Sequence, residues 1–136
     1  MAEYPQKARP LSPHLGIYRW PVTMATSITH RITGVGLAGG TLLIAWWLTA
    51  VSSGPETYSF FVSTMGTPLG QIALYGFAWS LAYHFLNGIR HLCWDFGYGF
   101  ALPTANATGI TVIALSLLVT AGFFLAVHYG YAGYYQ

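Results

Sequence analysis

Charge is what this sequence has least of. Its 136 residues include five Lys or Arg and three Asp or Glu, so only 6% are charged. A soluble domain carries about 25% charged residues, and 54% of this chain is hydrophobic. The net charge of +2 comes without a basic cluster, which excludes a nucleic-acid-binding face. These proportions predict an integral membrane protein in contact with lipid.

Cysteine is almost absent as well. The single residue, Cys93, excludes an internal disulfide and a multi-cysteine metal site, and no C-x-x-C-H motif could attach a haem covalently. Residues 1–20 lack the apolar stretch of a signal peptide, and Pro5, Pro10 and Pro13 disfavour an amphipathic transit helix. We therefore expect a bacterial inner membrane, and a mitochondrial inner membrane less so.

Long apolar runs are what the sequence does have. Each is long enough to cross a hydrocarbon core of about 30 Å at about 1.5 Å per residue, and lipid leaves helices as the spanning form. We predict an all-α membrane protein: a segment 1–20, then a domain 21–136 with three transmembrane helices. The runs are Ile32–Ser52, Thr67–Ile89 and Gly109–Gly133, within spans of about 23–53, 65–93 and 107–130.

The basic residues predict how the helices are oriented. They precede or open the first span or close the second, which places them on one side, whereas the opposite side holds Glu56 and no basic residue. The positive-inside rule then places the N-terminus in the cytoplasm. The basic residues are Lys7, Arg9, Arg19, Arg31 and Arg90.

Glycines in the first span invite a misleading interpretation. Gly34, Gly36 and Gly39 spell G-x-G-x-x-G, but a dinucleotide fingerprint must follow a strand in a soluble unit. Their position inside an apolar run excludes that function. Gly36 and Gly40 also form a G-x-x-x-G pair, which predicts close helix packing or a surface that admits a flat macrocycle.

Ionisable residues inside a membrane indicate function. His84 precedes Arg90 by six residues and so lies about 9 Å deeper along a helix. Ser27, His30 and Arg31 share a face of the first helix. Haem b fits this pattern, with His84 on the iron and Arg31 and His30 on the propionates, because arginine grips carboxylates well. A packed, hydrogen-bonded His84 is the alternative.

Two stretches resemble the cytochrome b membrane-anchor subunit of succinate dehydrogenase, respiratory complex II. They are RPLSPHLGIYRWPVTMATSITHRITG, which contains S-x-x-H-R, and HFLNGIRHLCWDFG, which contains H-x-x-x-G-I-R-H-x-x-x-D. The resemblance covers the N-terminal segment, the start of the first helix and the end of the second. The third helix matches only as an apolar span.

The resemblance implies a specific set of roles. His84 is the axial ligand of one haem b, which is shared with a second small membrane-anchor subunit that gives the other ligand, while His30 and Arg31 lie near the propionates. Ser27, Ile28 and Arg31 line a ubiquinone pocket. A flavoprotein and an iron–sulfur subunit complete the electron-transport complex. The segment Pro5–Pro13 is expected to run along the underside of the iron–sulfur subunit. This chain itself has no catalytic, succinate-oxidising site.

Three other functions remain to be weighed. The anchor of a quinol:fumarate reductase would look the same, and a haem-free structural anchor would use the same helices. A transporter or channel subunit would instead spread ionisable residues along a path, whereas here they cluster at one end.

Asp95 follows His91 by four residues. It either hydrogen-bonds to His91, or both are ordinary interface residues.

Overall fold

The computed structural model describes residues 19–132, and within them the regular secondary structure consists of α-helices joined by short turns. The helices are α1 (Val22–Ser53), α2 (Pro55–Met65), α3 (Pro68–Asp95) and α4 (Leu102–Ala132). The prediction of an all-α fold is confirmed. Most of the segment 1–20, including Lys7, Arg9 and Pro5–Pro13, lies outside the described residues, so the expectations for it stay predictions.

Local chemistry explains where the helices begin and end. Gly54 has a φ of 109°, which lets the chain turn sharply between α1 and α2, and Pro55 occupies the first position of α2, where a missing N–H costs nothing. The hydroxyl of Thr67 caps α3 by accepting from the Gly70 amide at 3.2 Å. Gly97 and Gly99, with φ values of 87° and 86°, reverse the chain into α4.

Two helices within residues 19–132 are long and apolar enough to cross a membrane. They are α1 and Leu102–Gly130 of α4, in which an 18-residue stretch has a mean hydropathy of 1.6 and 2.5, respectively. Helix α3 has 28 residues, or about 42 Å of length, but its polar side chains make it less apolar than these two helices. Helices α1, α3 and α4 cover the three predicted spans, and α2 was not predicted.

A small apolar core closes one end of the bundle. Ala50 of α1 packs with Phe61 and Met65 of α2, and all three are buried. A side chain at Gly70 would collide with the backbone of Met65, 2.6 Å from its Cα atom, so glycine is required where α3 passes α2. Helix α2 thus fills the gap between the end of α1 and the start of α3.

In the rest of the bundle, many of the buried residues are polar and many of the exposed ones are apolar. Large apolar side chains such as Leu42, Leu81 and Leu118 are exposed, whereas the buried polar residues are Thr26, Thr33, Ser80, Asn87, Arg90 and Ser116. Small and polar residues at helix contacts, with apolar ones outside, are typical of packing in lipid.

The glycines of α1 lie against α3. A Cβ atom on Gly36 would be 3.2 Å from the Ser80 hydroxyl oxygen, and one on Gly40 would overlap the Phe77 ring. Of the two interpretations of the G-x-x-x-G pair, the structure therefore shows helix packing.

Candidate functional site

Three histidines meet where α1 and α3 cross. The rings of His30 and His84 stack with their centroids 3.8 Å apart and an interplanar angle of 10°. His91, two turns further along α3, has its ring centroid 5.2 Å from that of His30. The sequence placed His30 on a face of the first helix with Ser27 and Arg31, and the packing of α1 on α3 brings its ring against the two histidines of α3.

His84 is held in a defined orientation by α1. Its Nδ1 atom lies 3.1 Å from the carbonyl oxygen of His30 and 3.3 Å from the hydroxyl oxygen of Thr33. A carbonyl only accepts, so Nδ1 carries the proton and donates it. In the neutral imidazole Nε2 then has a free lone pair, and it has no hydrogen-bond partner within the described chain.

Gly34 makes this arrangement possible. A Cβ atom there would lie 3.2 Å from Cε1 of His84, closer than the 3.5–4.0 Å or so of an ordinary carbon contact. Glycine lets the imidazole approach the backbone of α1 closely enough to reach the His30 carbonyl. The site therefore depends on Gly34 and Thr33, neither of which the sequence interpretation singled out as a site residue.

His30 turns toward α3 and contributes an unsatisfied atom. Its Nδ1 is buried and has no hydrogen-bond partner in the structure of residues 19–132. His91 packs edge-on against Trp94, with centroids 4.9 Å apart. Within the same range no hydrogen bond or ion pair joins His91 to Asp95, which is exposed.

Ser27, Ile28 and Arg31 lie on a neighbouring face of α1. Ser27 and Ile28 are half-buried and Arg31 is exposed. The hydroxyls of Thr26 and Thr29 donate to carbonyl oxygens of their own helix at 3.0 and 2.9 Å. The Ser27 hydroxyl, by contrast, makes no hydrogen bond within the described part of the chain. This face therefore offers a free hydroxyl and a cationic side chain one turn apart.

Arg90 was predicted to close its helix, but in the structure the helix continues beyond it. Helix α3 continues to Asp95, and Arg90 is only 6% exposed. Its Nε donates to the Thr108 hydroxyl at 3.0 Å, and one terminal nitrogen donates to the Ala105 carbonyl at 2.9 Å. The guanidinium therefore joins α3 to α4.

The other terminal nitrogen of Arg90 reaches α1. It donates to the hydroxyl of Thr26 and to the side-chain oxygen of Asn87, both at 3.2 Å. The Tyr83 hydroxyl donates to the Thr26 carbonyl at 2.9 Å. These bonds hold together the start of α1, the end of α3 and the start of α4, so the three helices alternate in direction.

A bare metal ion has no ready-made site here. No group of three or more His, Cys, Asp or Glu side chains in the part of the chain that the structure describes is placed to hold one. A single oriented histidine with a free Nε2 suits a prosthetic group whose iron already has four ligands, because metal-bound histidines characteristically donate their other N–H to a carbonyl or carboxylate. The residues present therefore fit a haem.

Comparisons with known proteins agree with this geometry. Residues 5–123 match the family described as "Succinate dehydrogenase/Fumarate reductase transmembrane subunit". The chain is 42% identical over 119 residues to the succinate dehydrogenase cytochrome b556 subunit of Paracoccus denitrificans, covering 88% of this chain and 92% of that one.

Two further relatives come from different lineages. The mitochondrial succinate dehydrogenase cytochrome b560 subunit of Mus musculus is 41% identical over 116 residues, covering 84% of this chain and 69% of that one. The cytochrome b556 subunit of Rickettsia felis is 42% identical over 112 residues, covering 82% of this chain and 87% of the relative. The chain belongs to the family of transmembrane subunits of succinate dehydrogenase and fumarate reductase.

Proposed function

We propose that this chain is the cytochrome b subunit that anchors a succinate dehydrogenase in a membrane, binds one haem b and helps to form the site where ubiquinone is reduced. The observation that carries the proposal is the oriented imidazole of His84, with Nδ1 held by the His30 carbonyl at 3.1 Å. The relatives described above are all named for succinate dehydrogenase, which favours succinate oxidation over fumarate reduction.

The arrangement in the membrane follows from the helices. We infer that α3 crosses together with α1 and α4, because it packs against both of them and keeps its polar side chains inside the bundle. The end of the bundle that holds Arg19, Arg31 and Arg90 then faces the cytoplasm by the positive-inside rule. Glu56, at the opposite end, faces the outer side. A bacterial inner membrane stays our expectation.

His84 would hold the haem iron through Nε2. His30 and Arg31 would hold its propionates, for which the buried, unpaired Nδ1 of His30 is a ready donor when protonated. A bound haem b supplies a one-electron store inside the membrane. The second axial ligand would come from a second anchor chain, since one histidine of this chain is positioned for the role.

An experimental map of the assembled complex tests the haem proposal. We expect iron density at Nε2 of His84 and a second histidine from the other anchor chain on the opposite side. An imidazole of His84 that points away from the iron would refute it.

Ser27 and Arg31 would bind the ubiquinone head group. The free hydroxyl of Ser27 can donate to a quinone carbonyl oxygen, and Arg31 places a fixed positive charge where negative charge develops during reduction. Ile28, between them in sequence, would give an apolar wall. Among the described helices none covers Arg31, which leaves room for the iron–sulfur subunit and the second anchor chain to complete the pocket, with the flavoprotein beyond.

The quinone site is tested by comparing two electron acceptors. Ser27→Ala and Arg31→Leu should each lower ubiquinone reduction by about tenfold or more, as expected for a lost donor at developing charge. Succinate oxidation with a soluble dye should persist, because that chemistry lies in other subunits.

Ser52→Ala is the matched control, since Ser52 is exposed at the other end of α1 and donates within its own helix at 3.0 Å. It should leave both activities unchanged. Equal loss of both activities in Ser27→Ala would indicate failed assembly, and no loss of either would remove Ser27 from the site.

A further inference from the structure

Arg90 carries a buried positive charge with no negative partner in the described chain. Its four hydrogen-bond acceptors are hydroxyl, amide and backbone carbonyl oxygens, all of them neutral. The acidic residues between 19 and 132 are Glu56 and Asp95; both are exposed, and neither forms an ion pair with Arg90. Arginine does not lose its proton in proteins, so the charge stays in place.

Asn87 occupies the position from which an acidic side chain would form an ion pair with Arg90. Its Oδ1 accepts from Arg90 at 3.2 Å, while its Nδ2 is buried without a hydrogen-bond partner among residues 19–132. An aspartate of the same shape would neutralise the guanidinium and remove the unpaired N–H. The guanidinium lies over the Trp94 ring, 4.1 Å from its centroid, but burying a charge without a counter-ion is costly, and the neutral amide at position 87 does not provide one.

The charge lies close to the proposed haem ligand. Arg90 follows His84 by six residues in the same helix, or about 9 Å of axial rise. Arg90 also donates a hydrogen bond to Thr26, which lies one helical turn before His30. Little water can screen this charge, because the side chain is 6% exposed. A cation in such surroundings favours an added electron nearby.

We propose that the uncompensated charge of Arg90 raises the reduction potential of the group bound at His84. This inference rests on the proposed haem at that residue. At an effective dielectric constant of about 20, a unit charge on the order of 10 Å away shifts a one-electron equilibrium by roughly tenfold. A tenfold change corresponds to about 59 mV for one electron.

Potentiometric titration of the haem in the assembled membrane complex tests the proposal. Arg90→Gln should lower the potential by about 59 mV, whereas Arg90→Lys, which keeps the charge without the planar fork, should keep it near the wild-type value. Asn87→Asp should lower it as well, since it adds a negative charge beside the guanidinium. Thr108→Ala is the matched control: it removes the acceptor at 3.0 Å but no charge, and should leave the potential unchanged.

Two results would overturn the proposal. One is an unchanged potential in both Arg90→Gln and Asn87→Asp. The other is the same shift in Thr108→Ala as in Arg90→Gln, since that would trace the effect to packing. If Arg90→Gln does not assemble, Asn87→Asp decides, because it keeps the size of the side chain and keeps Arg90. A wild-type complex without a haem spectrum would refute the haem proposal itself, which is a different outcome from a haem with an insensitive potential.

Discussion

Replacing Gly34 with alanine should loosen the haem site without weakening the helix. The new Cβ atom would lie 3.2 Å from Cε1 of His84, so the ring must retreat by about 0.3–0.8 Å to reach an ordinary carbon contact. Such a shift lengthens the hydrogen bond from Nδ1 to the His30 carbonyl oxygen, which is now 3.1 Å. Its length would reach or exceed about 3.2 Å, the upper limit of ordinary N–H···O hydrogen bonds. A hydrogen bond of this kind contributes about 0.5–1.5 kcal/mol, or roughly two- to tenfold in haem affinity.

Gly39→Ala is the matched control, because no atom lies within 4 Å of a Cβ built at Gly39. Both substitutions gain the same helix propensity, about 0.8–1.0 kcal/mol, so their difference isolates the contact with His84. The assay is the rate of haem loss from the purified complex to a haem-scavenging protein, followed by absorbance. We expect faster loss only from the Gly34→Ala complex. Equal haem retention in the two variants would refute the proposed role of Gly34.

Two further substitutions test the packing around the site. Tyr83→Phe removes the 2.9 Å bond from the phenol to the Thr26 carbonyl and should destabilise the complex by about 0.5–1.5 kcal/mol; an unchanged midpoint of thermal unfolding would contradict this. Gly70→Ala places a Cβ atom 2.6 Å from Cα of Met65 and should cost about 1–3 kcal/mol. Gly76→Ala, with open space at that position, should cost nothing, and equal yields of the two complexes would show that α2 tolerates the displacement.

The main helices could be predicted because their signal is local. An apolar run long enough to cross a membrane has few alternatives to a helix, and α1, α3 and α4 follow the three runs. Pro55 and Pro103 favour a helix break when only the sequence is considered, yet each lies in the first turn of a helix, where proline is tolerated. That is why α2 was missed and why α4 begins at Leu102, five residues before the predicted 107.

The polar site could be predicted only in part. His84 could be singled out because its depth in an apolar run follows from sequence spacing alone. The contact of His84 with His30, and the role of Gly34, depend on the rotation and register of α1 against α3, which no local pattern encodes. Arg90 looked like an interface residue for the same reason: its partners Thr26 and Thr108 lie on two other helices.

The visible spectrum of the purified complex tests the central claim most directly. His84→Leu should abolish the low-spin b-type absorption, because it removes the imidazole whose Nδ1 is fixed by the His30 carbonyl. His91→Leu, which removes a neighbouring histidine packed on Trp94, should retain that absorption. An unchanged low-spin spectrum in the assembled His84→Leu complex would contradict the assignment of this chain as a haem-ligating anchor through His84.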